Sequence, residues 1–190
     1  MSTIRTFIAV EVSDEVRRLA GRLVERLARS QADVKWVEAH NLHLTLKFLG
    51  DVPDARTAEV CQAVAEVSRQ IPGFVISLCG AGAFPNAGRP RTIWMGVDRG
   101  REQLAELHRG IDAALAKLGF PADGRRFHPH LTLGRVRRGG PAMRELGRLI
   151  QENERFDGAT TEVVTVTVFA SFLDKSGPTY QVLGRAELAT

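Results

Sequence analysis

His43-Leu44-Thr45-Leu46 is repeated unchanged as His130-Leu131-Thr132-Leu133, and this repeat organises the reading of the whole chain. With 5 histidines in 190 residues, one H-x-T triplet arises by chance about 0.3 times. A single copy would carry little weight, whereas two identical tetrapeptides carry a great deal. Each copy follows a turn-forming stretch and lies in an alternating segment, 42–49 closed by Gly50 and 131–136. Side chains on a strand alternate between its faces. His43 and Thr45 therefore project together while Leu44 and Leu46 enter a core, and the second copy behaves the same way. Two such strands related by an internal pseudo-twofold line one cleft with two imidazoles and two hydroxyls.

Outward from the repeat, β-branched and aromatic residues over 3–12 predict a strand. Val16, Leu19, Leu23 and Leu27 predict a helix over 14–30. A short strand over 34–37 and a turn over 38–41 lead into the first motif. Pro53 opens a second helix, with Val60, Val64 and Val67 on one face, which stops before Pro72-Gly73. Strands at 74–79 and 92–97 flank a Gly/Pro-rich loop. Leu104, Leu107, Ile111 and Leu115 mark a helix over 102–118, and a fourth helix is expected over 141–153. Strands at 162–172 and 180–188, joined by the turn-prone stretch 174–178, should form a hairpin.

Strict strand-helix alternation is missing, and so is a Gly-rich phosphate loop. The expected class is α+β with mainly antiparallel sheets, and residues 1–190 are expected to form one structural unit.

Hydrophobic residues make up 44% and charged residues 25%, the balance of a folding globular chain rather than a disordered one. No apolar run reaches the roughly 18–20 residues that span a bilayer. Glu11, Ser13 and Asp14 interrupt the short N-terminal apolar stretch at once, so no membrane partner is expected, and the location should be cytoplasmic. Cys61 and Cys79 lack metal-site spacing and read as small hydrophobes of a reduced compartment. A net charge of +4 favours polyanionic partners. Its densest part, Arg125, Arg126, Arg135, Arg137 and Arg138, brackets the second motif as a basic rim suited to phosphate.

Breaking a phosphate ester needs a base to take a proton from the attacking water and an acid to protonate the leaving oxygen. Imidazole titrates near neutrality and can serve as either. His43 and His130 are the candidate catalytic pair. Thr45 and Thr132 can donate to the non-bridging oxygens where charge accumulates. Alternation also puts Lys47 on the face of His43 and Thr45, where it is expected to hold phosphate together with Arg135. His40 and His108 read as surface residues. A zinc site of His43, His128 and His130 is weakened by Pro129 and by the arginines nearby. A non-catalytic RNA-binding module using only the basic rim is the other alternative. No cofactor or metal is expected.

The sequence resembles the two-histidine (2H) phosphoesterase superfamily, and within it the RNA 2′,3′-cyclic phosphodiesterases also called 2′-5′ RNA ligases. Beyond the two motifs, the resemblance rests on Arg5-Thr6-Phe7-Ile8-Ala9-Val10, on Trp36-Val37 leading to Asn41-Leu42 and on Lys47-Phe48-Leu49-Gly50 after the first motif. Phe127-His128-Pro129-His130, Ser171-Phe172-Leu173 and Gly177-Pro178-Thr179-Tyr180 complete it. The resemblance implies that residues 1–190 form one domain with a bilobal pseudo-twofold fold, two mainly antiparallel sheets with flanking helices around a central cleft and one motif per lobe. It implies opening of a terminal 2′,3′-cyclic phosphate to a 2′-phosphate, with His43 as proton donor and His130 as acceptor. It also implies ligation as the reverse reaction. The implied partners are RNA ends, tRNA fragments among them, or related nucleotides, bound by a monomer.

Overall fold

The computed structural model describes residues 2–173 and 177–190. In chain order the elements are β1 (Thr3–Glu11), α1 (Asp14–Ala28), β2 (Val34–Trp36), β3 (His43–Pro53), α2 (Thr57–Ser68), β4 (Phe74–Phe84) and β5 (Thr92–Val97). After these come α3 (Arg101–Lys117), β6 (His130–Val136), α4 (Met143–Glu152), β7 (Asp157–Val163), β8 (Thr165–Leu173) and β9 (Pro178–Glu187). The α+β class and the antiparallel pairing are as expected. The described strands run β7-β4-β5-β6-β3-β1-β8-β9, with β2 also on β6, and every named strand pair is antiparallel.

The two halves of this order meet at β6 and β3, the two motif strands. There the expected two sheets join through a single registered pair, Leu44 with Leu131. Helices α1 and α4 cover the β7/β4 half, and α2 covers β8 and β9. Each helix buries one stripe, for example Val16, Ala20, Leu23 and Leu27 of α1, and each large apolar side chain so buried contributes roughly 1.5–3 kcal/mol by leaving water. The Ser13 hydroxyl caps α1 by accepting from the Val16 amide. Among the described residues no helix is long and apolar enough to cross a membrane.

Three boundaries differ from expectation. Strand β3 does not end at Gly50 but passes through it: Gly50 takes φ +69 where the register slips against β1, so the glycine makes a bulge and not a stop. Strand β4 runs on through Gly80 and Gly82 to Phe84. The expected strand 162–172 is in fact two strands that separate at the exposed Val164. Strand β7 pairs with β4, whereas β8 pairs with β1, towards opposite ends of the strand order. Strands β8 and β9 do pair as a hairpin, while residues 174–176 of the expected turn lie outside the described residues.

Candidate functional site

Both motifs show the expected alternation, with Leu44, Leu46, Leu131 and Leu133 buried and the His and Thr residues between them partly open. Antiparallel pairing at Leu44 and Leu131 sets His43 beside Thr132 and Thr45 beside His130. The two imidazoles are then on diagonal neighbours, which in a regular ladder lie roughly 7–8 Å apart.

The same backbone device orients each ring. His43 Nδ1 lies 2.7 Å from the carbonyl oxygen of Asn41, and His130 Nδ1 lies 2.6 Å from that of His128. A carbonyl only accepts, so Nδ1 carries the proton and donates, and in the neutral ring Nε2 keeps the lone pair. Neither Nε2 nor either threonine hydroxyl has a partner among the described residues. The turn before His43 is itself held in place. Arg17 Nη1 donates to the carbonyls of Ala39 (2.7 Å) and Leu42 (3.1 Å), and the buried Asn41 donates from Nδ2 to the carbonyl of Pro178 (3.0 Å).

Aromatic rings surround the two histidines differently. His43 stacks on Phe7 at 4.8 Å and meets Tyr180 edge-on at 5.3 Å. His130 meets Phe84 edge-on at 5.0 Å and lies near Trp94. Gly82 sits under the Trp94 indole, where a Cβ would collide with the ring. Burial pushes the pKa of His43 down to about 4, although the Asn41 hydrogen bond opposes the shift. Burial also lowers that of His130. Both shifts favour the neutral imidazole in the free protein.

The rings face a cleft of about 1070 Å³ that Thr45, Thr132, Arg5, Arg125, Arg126 and Arg135 help to line. Arg135 is fixed by a 3.1 Å bond to Thr92 Oγ1. Arg137 and Arg138 are exposed but stand outside this wall, so the basic rim is smaller than the sequence suggested. An adjoining hollow of about 530 Å³, lined by Lys35, Trp36 and His40, shares Arg135 and Tyr180 with the cleft.

Two expectations need correcting. Lys47 reaches the cleft wall, but its side chain is 1% exposed, and its ammonium donates to Asp112 Oδ1 (2.6 Å), Pro121 O (2.9 Å) and Asp123 Oδ1 (3.0 Å). All three N–H bonds are used, which leaves none for phosphate. His108 is buried, not a surface residue: it bonds Asp123 Oδ2 at 3.0 Å and stacks flat on Phe127. His40 is exposed, as expected. Among the described residues no three His, Cys, Asp or Glu side chains gather as metal ligands, so the trio His43, His128 and His130 does not converge on one point. Cys61 and Cys79 are free and half-buried.

Known proteins match this chain along nearly its whole length. The model of the LigT like phosphoesterases matches residues 10–94 and 96–180, and each segment carries one H-x-T-x motif at nearly the same depth. The chain belongs to the LigT-like phosphoesterase family. This LigT-like chain is 37% identical over 178 residues to an RNA 2′,3′-cyclic phosphodiesterase of Methanothermobacter thermautotrophicus, covering 93% of itself and 95% of that protein. Among solved structures, one from Thermus thermophilus superposes on this LigT-like chain with a TM-score of 0.80 at 28% identity over 97% of both chains. E. coli LigT complexed with 3′-AMP does so with a TM-score of 0.79 at 26% identity over 100% of both chains.

Proposed function

We propose that this protein is an RNA 2′,3′-cyclic phosphodiesterase in which residues 1–190 act as one unit, each half contributing one H-x-T-x strand. The observation that supports this reading best is the meeting of the two motif strands at Leu44 and Leu131 with both Nδ1 atoms tied to carbonyls. Two imidazoles are thereby left with Nε2 for proton transfer at one phosphorus. The relatives named for this activity and the 3′-AMP complex of E. coli LigT agree with it.

In the proposed reaction, His130 Nε2 takes a proton from water as the oxygen attacks phosphorus. The bond from phosphorus to the 3′ oxygen breaks, and protonated His43 delivers its Nε2 proton to that oxygen, leaving a 2′-phosphate. Thr45 and Thr132 donate hydrogen bonds to the non-bridging oxygens, and Arg135 balances their charge. His43 is neutral in the free protein, so the bound phosphate must restore its proton affinity. A buried imidazole beside an anion gains such affinity strongly, because low polarity strengthens the attraction. In reverse the acid and base exchange roles, joining a cyclic phosphate to a 5′-hydroxyl as a 2′-5′ bond without ATP.

The test is incubation with a short RNA ending in a 2′,3′-cyclic phosphate, with the product phosphate located. A 2′-phosphate is expected. A 3′-phosphate would reverse the leaving oxygen, and an unchanged end would refute the activity. Activity that is lost to a chelator and restored by zinc would replace the two-histidine mechanism with a metal one.

A further inference from the structure

One registered pair between β3 and β6 is a thin join for two imidazoles that must address the same phosphorus, since catalytic groups need placement within roughly 0.5 Å. A second connection crosses from the first motif strand to the approach of the second motif. Lys47 lies on β3 just past Thr45 and grips Asp112 of α3 together with Pro121 and Asp123. The Asp123 amide donates to Asp112 Oδ1 at 3.1 Å, and Asp123 Oδ2 accepts from His108 at 3.0 Å. The His108 ring in turn lies against Phe127 at 4.3 Å and 6°. Both Asp123 oxygens and every Lys47 donor are used, so the network is closed.

What the network fastens is segment 118–129, which contains no helix or strand. It puts Arg125 and Arg126 on the cleft wall and contains His128, whose carbonyl orients His130. Loops without regular structure hold position only through such contacts. Burial alone would lower the pKa of Lys47, but the two carboxylates outweigh it and raise the pKa above the ordinary lysine value. The ion pairs therefore persist at neutral pH.

We propose that Lys47 and Asp123 form a clamp tying segment 118–129 to the first motif strand, which sets the position of His130 relative to His43. Lys47 is then a positioning residue and not a phosphate ligand. The proposal rests on the two-histidine reading above and adds to it the part that keeps the two halves in register.

Lys47→Met, Asp123→Asn and the double variant are compared with the wild type. The measurements are kcat and KM on the cyclic-phosphate RNA and the rate at which trypsin cuts after Arg125 and Arg126. Asp123→Asn is the milder change, because Asn keeps the shape and leaves Lys47 paired with Asp112. It carries the test if Lys47→Met, which strands two carboxylates, fails to fold. The clamp predicts that Asp123→Asn lowers kcat by about ten-fold with a smaller change in KM, since a displacement of about 1 Å can cost more than that. It also predicts that the double variant loses little beyond Lys47→Met, because both changes break one network. Trypsin should cut the loop several-fold faster in each variant.

If Lys47 instead held phosphate, Asp123→Asn would free its ammonium and lower KM, and that result overturns the clamp. So does an unchanged kcat. Proteolysis needs no substrate, so a wild type inactive on the RNA refutes the functional reading while faster cutting in the variants still supports the clamp. Unchanged cutting refutes the clamp itself.

Discussion

The His43 and His130 sites share one backbone design and differ in what is packed around it. In each, Nδ1 donates to the carbonyl two residues earlier and a threonine follows two residues later. His43 stacks on Phe7 and meets Tyr180 edge-on, in a cluster where Phe7 and Tyr180 also touch, behind a turn pinned by Arg17 and Asn41. His130 stands at the end of a long loop, edge-on to Phe84. The common part fixes tautomer and direction, and the differing part lowers the proton affinity of His43 more than that of His130 in the free protein, so the donor role of His43 depends on the bound phosphate. A duplicated strand can thus carry two opposite roles without any change in the motif.

The largest expected effect tests the shared part. His43→Ala and His130→Ala should each lower kcat/KM on the cyclic-phosphate RNA by about 10² to 10⁴ and leave RNA binding nearly unchanged. The wild-type profile of kcat against pH, which reports the substrate-bound enzyme in which the phosphate has restored the His43 proton, should be bell-shaped, its limbs belonging to the coupled pair. His130→Ala should abolish the acidic limb and His43→Ala the basic one. The opposite assignment of limbs would exchange donor and acceptor. Near-wild-type turnover in both variants would remove the mechanism altogether.

The difference in burial has a consequence for stability. The His43 imidazole has an ordinary value of 6.5 when unfolded and about 4 when folded, so the unfolded chain holds the proton more tightly. Stability from this group is complete above pH 6.5 and is lost as the pH falls towards 4, by up to roughly 3 kcal/mol. Urea midpoints of wild type and His43→Gln should therefore converge as the pH is lowered from about 7 to about 4.5, with a smaller convergence for His130→Gln. Parallel curves for wild type and His43→Gln would contradict the burial argument.

Thr45→Val and Thr132→Val probe whether the two halves share the phosphate evenly. Each replacement removes one hydroxyl donor and keeps the β-branched shape, so kcat should fall by about 10² with KM little altered. A loss confined to one variant would place the phosphate oxygens against one strand only.

Much of this site was legible because strand alternation is a strict period of two, and a repeated tetrapeptide fixes which residues share a face. Sequence alternation failed one step later, at Lys47. It does place that residue near the cleft, but it cannot show that Asp112 and Asp123, distant in the chain, occupy the ammonium. A sign of the His108 burial was present: it lies four residues after Leu104 and seven before Leu115, on the apolar stripe of α3. The break at Val164 was hidden because Val163-Val164-Thr165 reads as one unbroken β-branched run, and only tertiary pairing divides it. The aromatic jackets of the histidines were invisible for the same reason, since β1, β4, β5 and β9 assemble them from across the sheet.

The smallest predicted effect separates those jackets. Phe7 is 2% exposed and presents its ring face to His43 at an interplanar angle of 30°, whereas Phe84 meets His130 at 90°. A ring face attracts a cation by about 0.5 to 2 kcal/mol, more when water is excluded. The stack should therefore favour the protonated His43 that the bound phosphate calls for. Phe7→Leu keeps an apolar side chain and removes the π face. It should lower kcat/KM by about two- to thirty-fold, the same energy expressed as a rate, and move the basic limb of the profile to lower pH. Phe84→Leu should leave that limb in place, because its ring faces the partner imidazole edge-on. If both substitutions shift the basic limb equally, the two jackets act only by excluding water, and the asymmetry between the sites lies in burial alone.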